Sequence, residues 1–131
     1  MNFLLNECVE KLKSDVNVLD KDESNKIFQS FESLLPFTFY GRIDWEKKSE
    51  YIEVLDYDSL VKFFDKKTRC YILWNNSSLP VLETSFSNFV EGIDDVLAVS
   101  YDTWVHLYND KNIIEFYHDG DIRIVSVSVL M

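Results

Sequence analysis

The dipeptide Asp119–Gly120 constrains this chain more than any other pair of residues. Asp-Gly suits the left-handed backbone of a two-residue primed turn, and such turns join antiparallel strands. Runs rich in β-branched and aromatic residues flank it, at 113–117 and 122–127. Together they predict a hairpin. Two more runs, 96–100 and 103–108, come before it, with polar turn chemistry at 109–112. The C-terminal third thus reads as a meander of four antiparallel runs.

Such a sheet needs a cover for its apolar faces, and the N-terminal third supplies it. Leu5, Cys8, Val9, Leu12 and Val16 recur at three- and four-residue steps, which predicts a helix over 3–16. Asp20 with Glu23 three residues later has the form of a capping box, with Asp22 as an alternative cap. The second helix then runs to about Leu35 and stops ahead of Pro36, because proline disfavours helix in the residue before it. Beyond it, 37–45 alternates and is aromatic, so it reads as a strand. Residues 51–55 form a further candidate strand, and 58–64 a short helix capped by Asp58 or Asp56. Residues 69–74 alternate cleanly, and 80–84 reads as an edge strand, because Pro80 cannot donate to a ladder. Ser85 or Ser87 caps another short helix with the stripe Phe86, Phe89, Val90 and Ile93, closed by Gly92 and the pair Asp94–Asp95. The expected fold is one α+β domain over 1–131, with two N-terminal helices packed on a mostly antiparallel sheet and one or two short inserted helices.

Cys8 and Cys70 read as buried, reduced thiols, in no C-x-x-C pair and with no histidine beside them. No basic leader followed by an apolar run opens the sequence, and no stretch reaches the roughly 20 apolar residues of a membrane helix. A cytoplasmic protein that is a monomer or weak dimer is expected. Acidic residues number 23 against 13 basic ones, a formal net charge of −10. That field repels nucleic acid and anionic membranes and attracts basic partners. The chain carries no G-x-G-x-x-G, Walker or G-x-S-x-G motif. With only three glycines, a backbone cradle for phosphate is hard to build. His106 and His118, with Asp102, Asp119 and Asp121 near them in sequence, can be drawn as a metal or general-base site, but their spacing matches no ligand pattern. No cofactor and no metal are expected, and binding is favoured over catalysis.

From 91 to 121 the carboxylates are dense: Glu91, Asp94, Asp95, Asp102, Asp119 and Asp121 are the candidate contacts for a basic partner, with Asp110 and Glu115 also in this stretch. Tyr101, Trp104, Tyr108, Tyr117 and His118 lie among them. Aromatic side chains within a charged rim are ordinary interface anatomy. The plainer alternative makes the rings core and the carboxylates turn residues.

Two stretches carry a family likeness. Residues 94–127, with Trp104, then Ile113 to Phe116, His118, Gly120 and Ile122, resemble the C-terminal part of immunity proteins from bacterial contact-dependent growth inhibition systems. Residues 71–95 resemble them too: a strand with Trp74, then Leu79–Pro80, then a short helix before the acidic pair. The chain departs from the pattern after the last isoleucine-bearing strand, where Ser and Val stand in place of a glycine. The resemblance implies a small cytoplasmic protein that binds and neutralises one cognate toxin domain. Many such toxins are nucleases with basic substrate faces, which a chain of this charge complements. The alternatives are an acidic adaptor or nucleic-acid-mimic inhibitor of a DNA- or RNA-binding enzyme, and a small metal-dependent enzyme using His106 and His118.

Overall fold

A computed structural model of the chain describes residues 3–12, 15–38, 41–47 and 50–127. Seven strands form one antiparallel sheet. In chain order the elements are α1 (Phe3–Leu12), β1 (Val16–Val18), α2 (Lys21–Leu34), a 3-10 turn (Trp45–Lys47), β2 (Ile52–Val54), α3 (Tyr57–Leu60), β3 (Arg69–Trp74), β4 (Leu82–Ser85), α4 (Phe86–Glu91), α5 (Ile93–Leu97), β5 (Thr103–Leu107), β6 (Asn112–Phe116) and β7 (Ile122–Ser126). Across the sheet the order is β1-β4-β3-β5-β6-β7-β2. The α+β expectation holds, with helices preceding the sheet and short helices inserted in it.

Strand alternation assigns each side chain to a face. Cys70, Ile72, Trp74, Val105, Leu107, Ile114, Phe116 and Ile124 meet α1, α4 and α5 in one core. Leu73, Trp104, Ile113 and Val125 meet Phe31 and Leu35 of the α2 region, and Ile43 and Trp45, in the other. The sheet is therefore covered on both sides, which explains why β3 and β5 are apolar on both faces. Trp74 fixes one layer by donating from Nε1 to the Val96 carbonyl at 3.1 Å. Gly92 lets α1 approach the junction of α4 and α5: a β-carbon there would stand 3.1 Å from Lys11 and 3.2 Å from Leu12. Both cysteines are buried and free. Burial first pushes each thiol up to about 12, so neither is a ready thiolate.

The caps fall where the sequence places them. Asp20 accepts from the Glu23 N–H at 2.8 Å, and Ser85 from the Asn88 N–H at 3.1 Å. Asp20→Ala is expected to cost about 1 kcal/mol of stability, read as a lower urea midpoint with an unchanged slope. An unchanged midpoint would show that the cap contributes nothing. Of the two candidates for the short helix after β2, Asp56 is the cap, accepting from the Ser59 N–H at 2.7 Å.

Four expectations are corrected. The first helix ends at Leu12, and Val16 instead opens β1, paired with Thr84. Residues 37–45 form no strand among the described residues. Phe37 and Ile43 make one isolated bridge, and Phe39 and Tyr40 lie outside the described residues. Residues 96–100 are not a strand: Val96 belongs to α5, which Asp94 and Asp95 begin rather than close. The meander therefore has three strands. Finally, β4 is not an edge. Pro80 precedes the strand, so Leu82 to Ser85 keep their N–H groups and pair with both β1 and β3. The edges are β1 and β2.

Candidate functional site

One end of the sheet gathers the end of β3, the start of β5, the end of β6, the start of β7 and the end of β2. The end of α5 and the start of α1 join them there, and an open groove results. Its larger part, about 670 Å³, is lined by Leu4, Tyr57, Leu97, Tyr101, Phe116 and His118 among others. A second depression adds Leu55, Asp56, Asp121 and Ile122, and shares Tyr57, Leu97, Phe116, Tyr117 and Gly120 with the first. Leu55 is 94% exposed and Tyr101 85%, so two large side chains stand in solvent at this one place. Burial, and next the charge of Asp94, raise the Tyr57 hydroxyl above its usual pKa, so it stays a neutral donor. The backbone N–H of Ser59 holds the fully exposed Asp56 below the usual carboxylate range.

The β6–β7 turn forms part of the groove wall. Gly120 takes φ +98° but Asp119 does not have a positive φ, so the strands are joined not by the expected two-residue primed turn but by a turn over 117–120 with Gly120 in the left-handed region. The Tyr117 N–H donates to the Asp121 carbonyl at 3.0 Å, and the Gly120 N–H to the Tyr117 carbonyl at 2.9 Å. Behind it lies a buried carboxylate. Glu115 is 1% exposed. Its Oε1 accepts from Arg42 Nε at 2.7 Å and Trp45 Nε1 at 2.9 Å. Its Oε2 accepts from the Ile43 N–H at 2.9 Å and Trp104 Nε1 at 3.1 Å. Arg42 reaches on to Asp121 at 3.3 Å and stacks 4.0 Å above the Tyr117 ring. Burial pulls the Arg42 guanidinium down, but Glu115 and Asp121 outweigh it and raise its pKa. The groove wall is thereby tied to the 41–47 loop.

The six candidate carboxylates take different places. Asp119 is exposed in the turn and its Oδ1 accepts from the Asp121 N–H at 2.9 Å. Asp94 is exposed on α5, within electrostatic reach of Tyr57. Asp95 is half-buried beside Cys8, and Glu91 is exposed at the end of α4 without lining the groove. Asp121 lines the groove but also pairs with Arg42 and Arg123. Asp102 is 7% exposed and bonded to His118, so it cannot act as a free surface charge. Of the rings, Tyr101, Tyr117 and His118 line the groove. Trp104 is core, and Tyr108 follows the far end of β5, where it donates to Glu83 at 2.7 Å.

The two histidines are not brought together. His106 pairs with Ile113 mid-strand and lies near Phe31, at 6.4 Å between rings, while His118 sits in the turn beyond Phe116. Burial pushes the His106 imidazole down to about 4. Among the described residues no group of three or more His, Cys, Asp or Glu is placed to hold a metal ion. No helix among them is long and apolar enough to cross a membrane.

The family model of the CdiI immunity protein, EcoliA0-like, matches residues 2–125. The chain belongs to this family. Membership makes it an immunity protein of contact-dependent growth inhibition, one that neutralises a toxin. The match takes in α1 and α2, which the likeness over residues 71–127 did not reach. No curated protein matches the chain.

Among the groove residues of this CdiI protein that sequence reasoning missed are Leu4, Leu55, Tyr57 and Leu97. A signal existed for one of them. Leu55 directly precedes the helix-capping Asp56, where a buried strand residue would be out of place. Of the other three, Leu4 lay in the expected first helix, Leu97 in the expected strand 96–100, and Tyr57 between the expected strand 51–55 and helix 58–64.

Proposed function

We propose that this CdiI protein binds its cognate toxin domain through the groove end of the sheet and blocks the toxin's active or substrate-binding face. The observation that carries this reading is the exposure of Leu55, Tyr57 and Tyr101 in one groove, with Asp56, Asp94, Asp119 and Asp121 around them. Exposed apolar side chains gathered inside a polar rim mark an interaction site, and rings at its centre supply most of the binding energy. The net charge of −10 selects a basic partner. A nuclease fits, because its substrate is a polyanion and its binding face must be positive.

The protein is a binder without catalysis of its own, working in the cytoplasm as a monomer or weak dimer. The separation of His106 from His118 argues against the metal-enzyme reading. The exposed rings argue against simple nucleic-acid mimicry, which needs phosphate-like carboxylates and no apolar anchor. Co-expression with the toxin domain encoded immediately upstream tests the reading. The expected result is a co-purifying complex with a basic domain and rescue of growth. No complex and no rescue, with a folded immunity protein, would refute it.

A further inference from the structure

Asp102 was expected to be a surface contact, and its burial gives it a different job. Its Oδ1 accepts from the His118 backbone N–H at 2.9 Å and lies 3.0 Å from His118 Nδ1. The Asp102 side chain is 10% exposed, the His118 side chain 49%. An ionised carboxylate only accepts, so in the neutral imidazole Nδ1 carries the proton and Nε2 keeps a lone pair. Nε2 is on the opposite edge of the ring from the buried acid, and makes no hydrogen bond among the described residues. The ring is held between Tyr101, at 6.0 Å with T-shaped geometry, and Tyr117, at 4.2 Å. It lines the groove.

We infer that His118 is a specificity-determining contact of the groove, whose Nε2 accepts a hydrogen bond from a cationic side chain of the toxin. The inference rests on the proposed function and deepens it. A purely structural ring would be redundant here, because the backbone N–H of His118 already ties the turn to Asp102. What the ring adds is an acceptor with a fixed tautomer and a fixed position, and such preorganisation lowers the ordering cost of binding. Its surroundings choose the donor. The charged group bonded to the ring is the Asp102 carboxylate. Arg42, on the Tyr117 ring, is already engaged by Glu115 and Asp121. The exposed carboxylate of Asp119 stands on the same turn, so an arginine or lysine is the donor that fits.

The test measures affinity for the upstream-encoded toxin domain for wild type, His118→Phe and His118→Gln. His118→Phe is expected to weaken binding about ten- to hundredfold, the worth of a hydrogen bond to a charged group. The glutamine carbonyl can stand in for Nε2, so His118→Gln recovers part of the affinity. Urea unfolding of each variant separates lost contact from lost fold. Unchanged affinity in a folded His118→Phe, or a folded His118→Gln that binds no tighter than His118→Phe, would overturn the inference and leave the proposed function standing. A wild-type protein that binds no toxin would overturn both.

Discussion

Replacing Glu115 by alanine is expected to cost about 3–5 kcal/mol of folding stability, the usual penalty for breaking a buried ion pair from one side. The reason lies in what the substitution leaves behind. Two indole N–H groups, one backbone N–H and a guanidinium converge on the two carboxylate oxygens. Without them, Trp104 Nε1 and Trp45 Nε1 are stranded beneath the 41–47 loop, each costing about 1–3 kcal/mol. Arg42 keeps Asp121, at 3.3 Å, but that carboxylate is 45% exposed and compensates little. Glu115→Gln is expected to fall between the two. The amide retains one acceptor, but turns two N–H donors toward groups that also donate. Urea unfolding followed by tryptophan fluorescence reads the effect directly, since two of the three tryptophans bond this carboxylate. A Glu115→Ala midpoint within the error of wild type would show that water replaces the carboxylate without cost.

The same residue shows why 37–45 was misread as a strand. Its aromatic alternation is real, but a strand in a ladder would give its N–H groups to a neighbouring strand. Here the Ile43 N–H goes to Glu115 instead, and the Trp45 N–H folds back to the Ile43 carbonyl at 3.0 Å. The apolar side chains cover the sheet from a loop. Local pattern reports which side chains are buried, not where the backbone finds its partners. Where both questions have a local answer, the reading succeeded: β3 matches 69–74 residue for residue, and Asp20 and Ser85 cap their helices through bonds three residues on. Residues 96–100 failed because a short apolar run fits a strand or a buried helix equally.

The site was legible to a smaller degree, for a related reason. The Asp-Gly turn and its exposed Asp119 follow from two adjacent residues. The role of Asp102 depends on His118, sixteen residues away and reached through the β5–β6 hairpin. In sequence Asp102 looks like any turn carboxylate before a strand. Tyr101, its neighbour, lines the groove, whereas Trp104 falls on the strand face that meets α2. The difference is one of register, which only the pairing with Glu115 sets.

Under the proposed function, that division between free and engaged carboxylates decides which substitutions bear on toxin binding. Asp94→Lys combined with Asp119→Lys is expected to slow association with the toxin domain by about 10- to 1,000-fold at low salt. Protection from growth inhibition should be lost with it. The two sites are exposed at the groove end, so the swap changes the local field without removing a core contact. Asp119 also holds the Asp121 N–H, and Asp119→Asn, which retains the accepting oxygen, isolates that contribution. Net charge is controlled by Glu32→Lys with Glu46→Lys, an equal change placed on α2 and the 3-10 turn, both exposed. Fields decay over about 8 Å at physiological salt. A partner docking at the groove should therefore feel the first pair strongly and the second weakly, and the contrast should shrink as salt rises. Equal slowing by both pairs would mean that only overall charge matters, and the groove would lose its claim. No slowing by either pair would make the toxin face something other than basic.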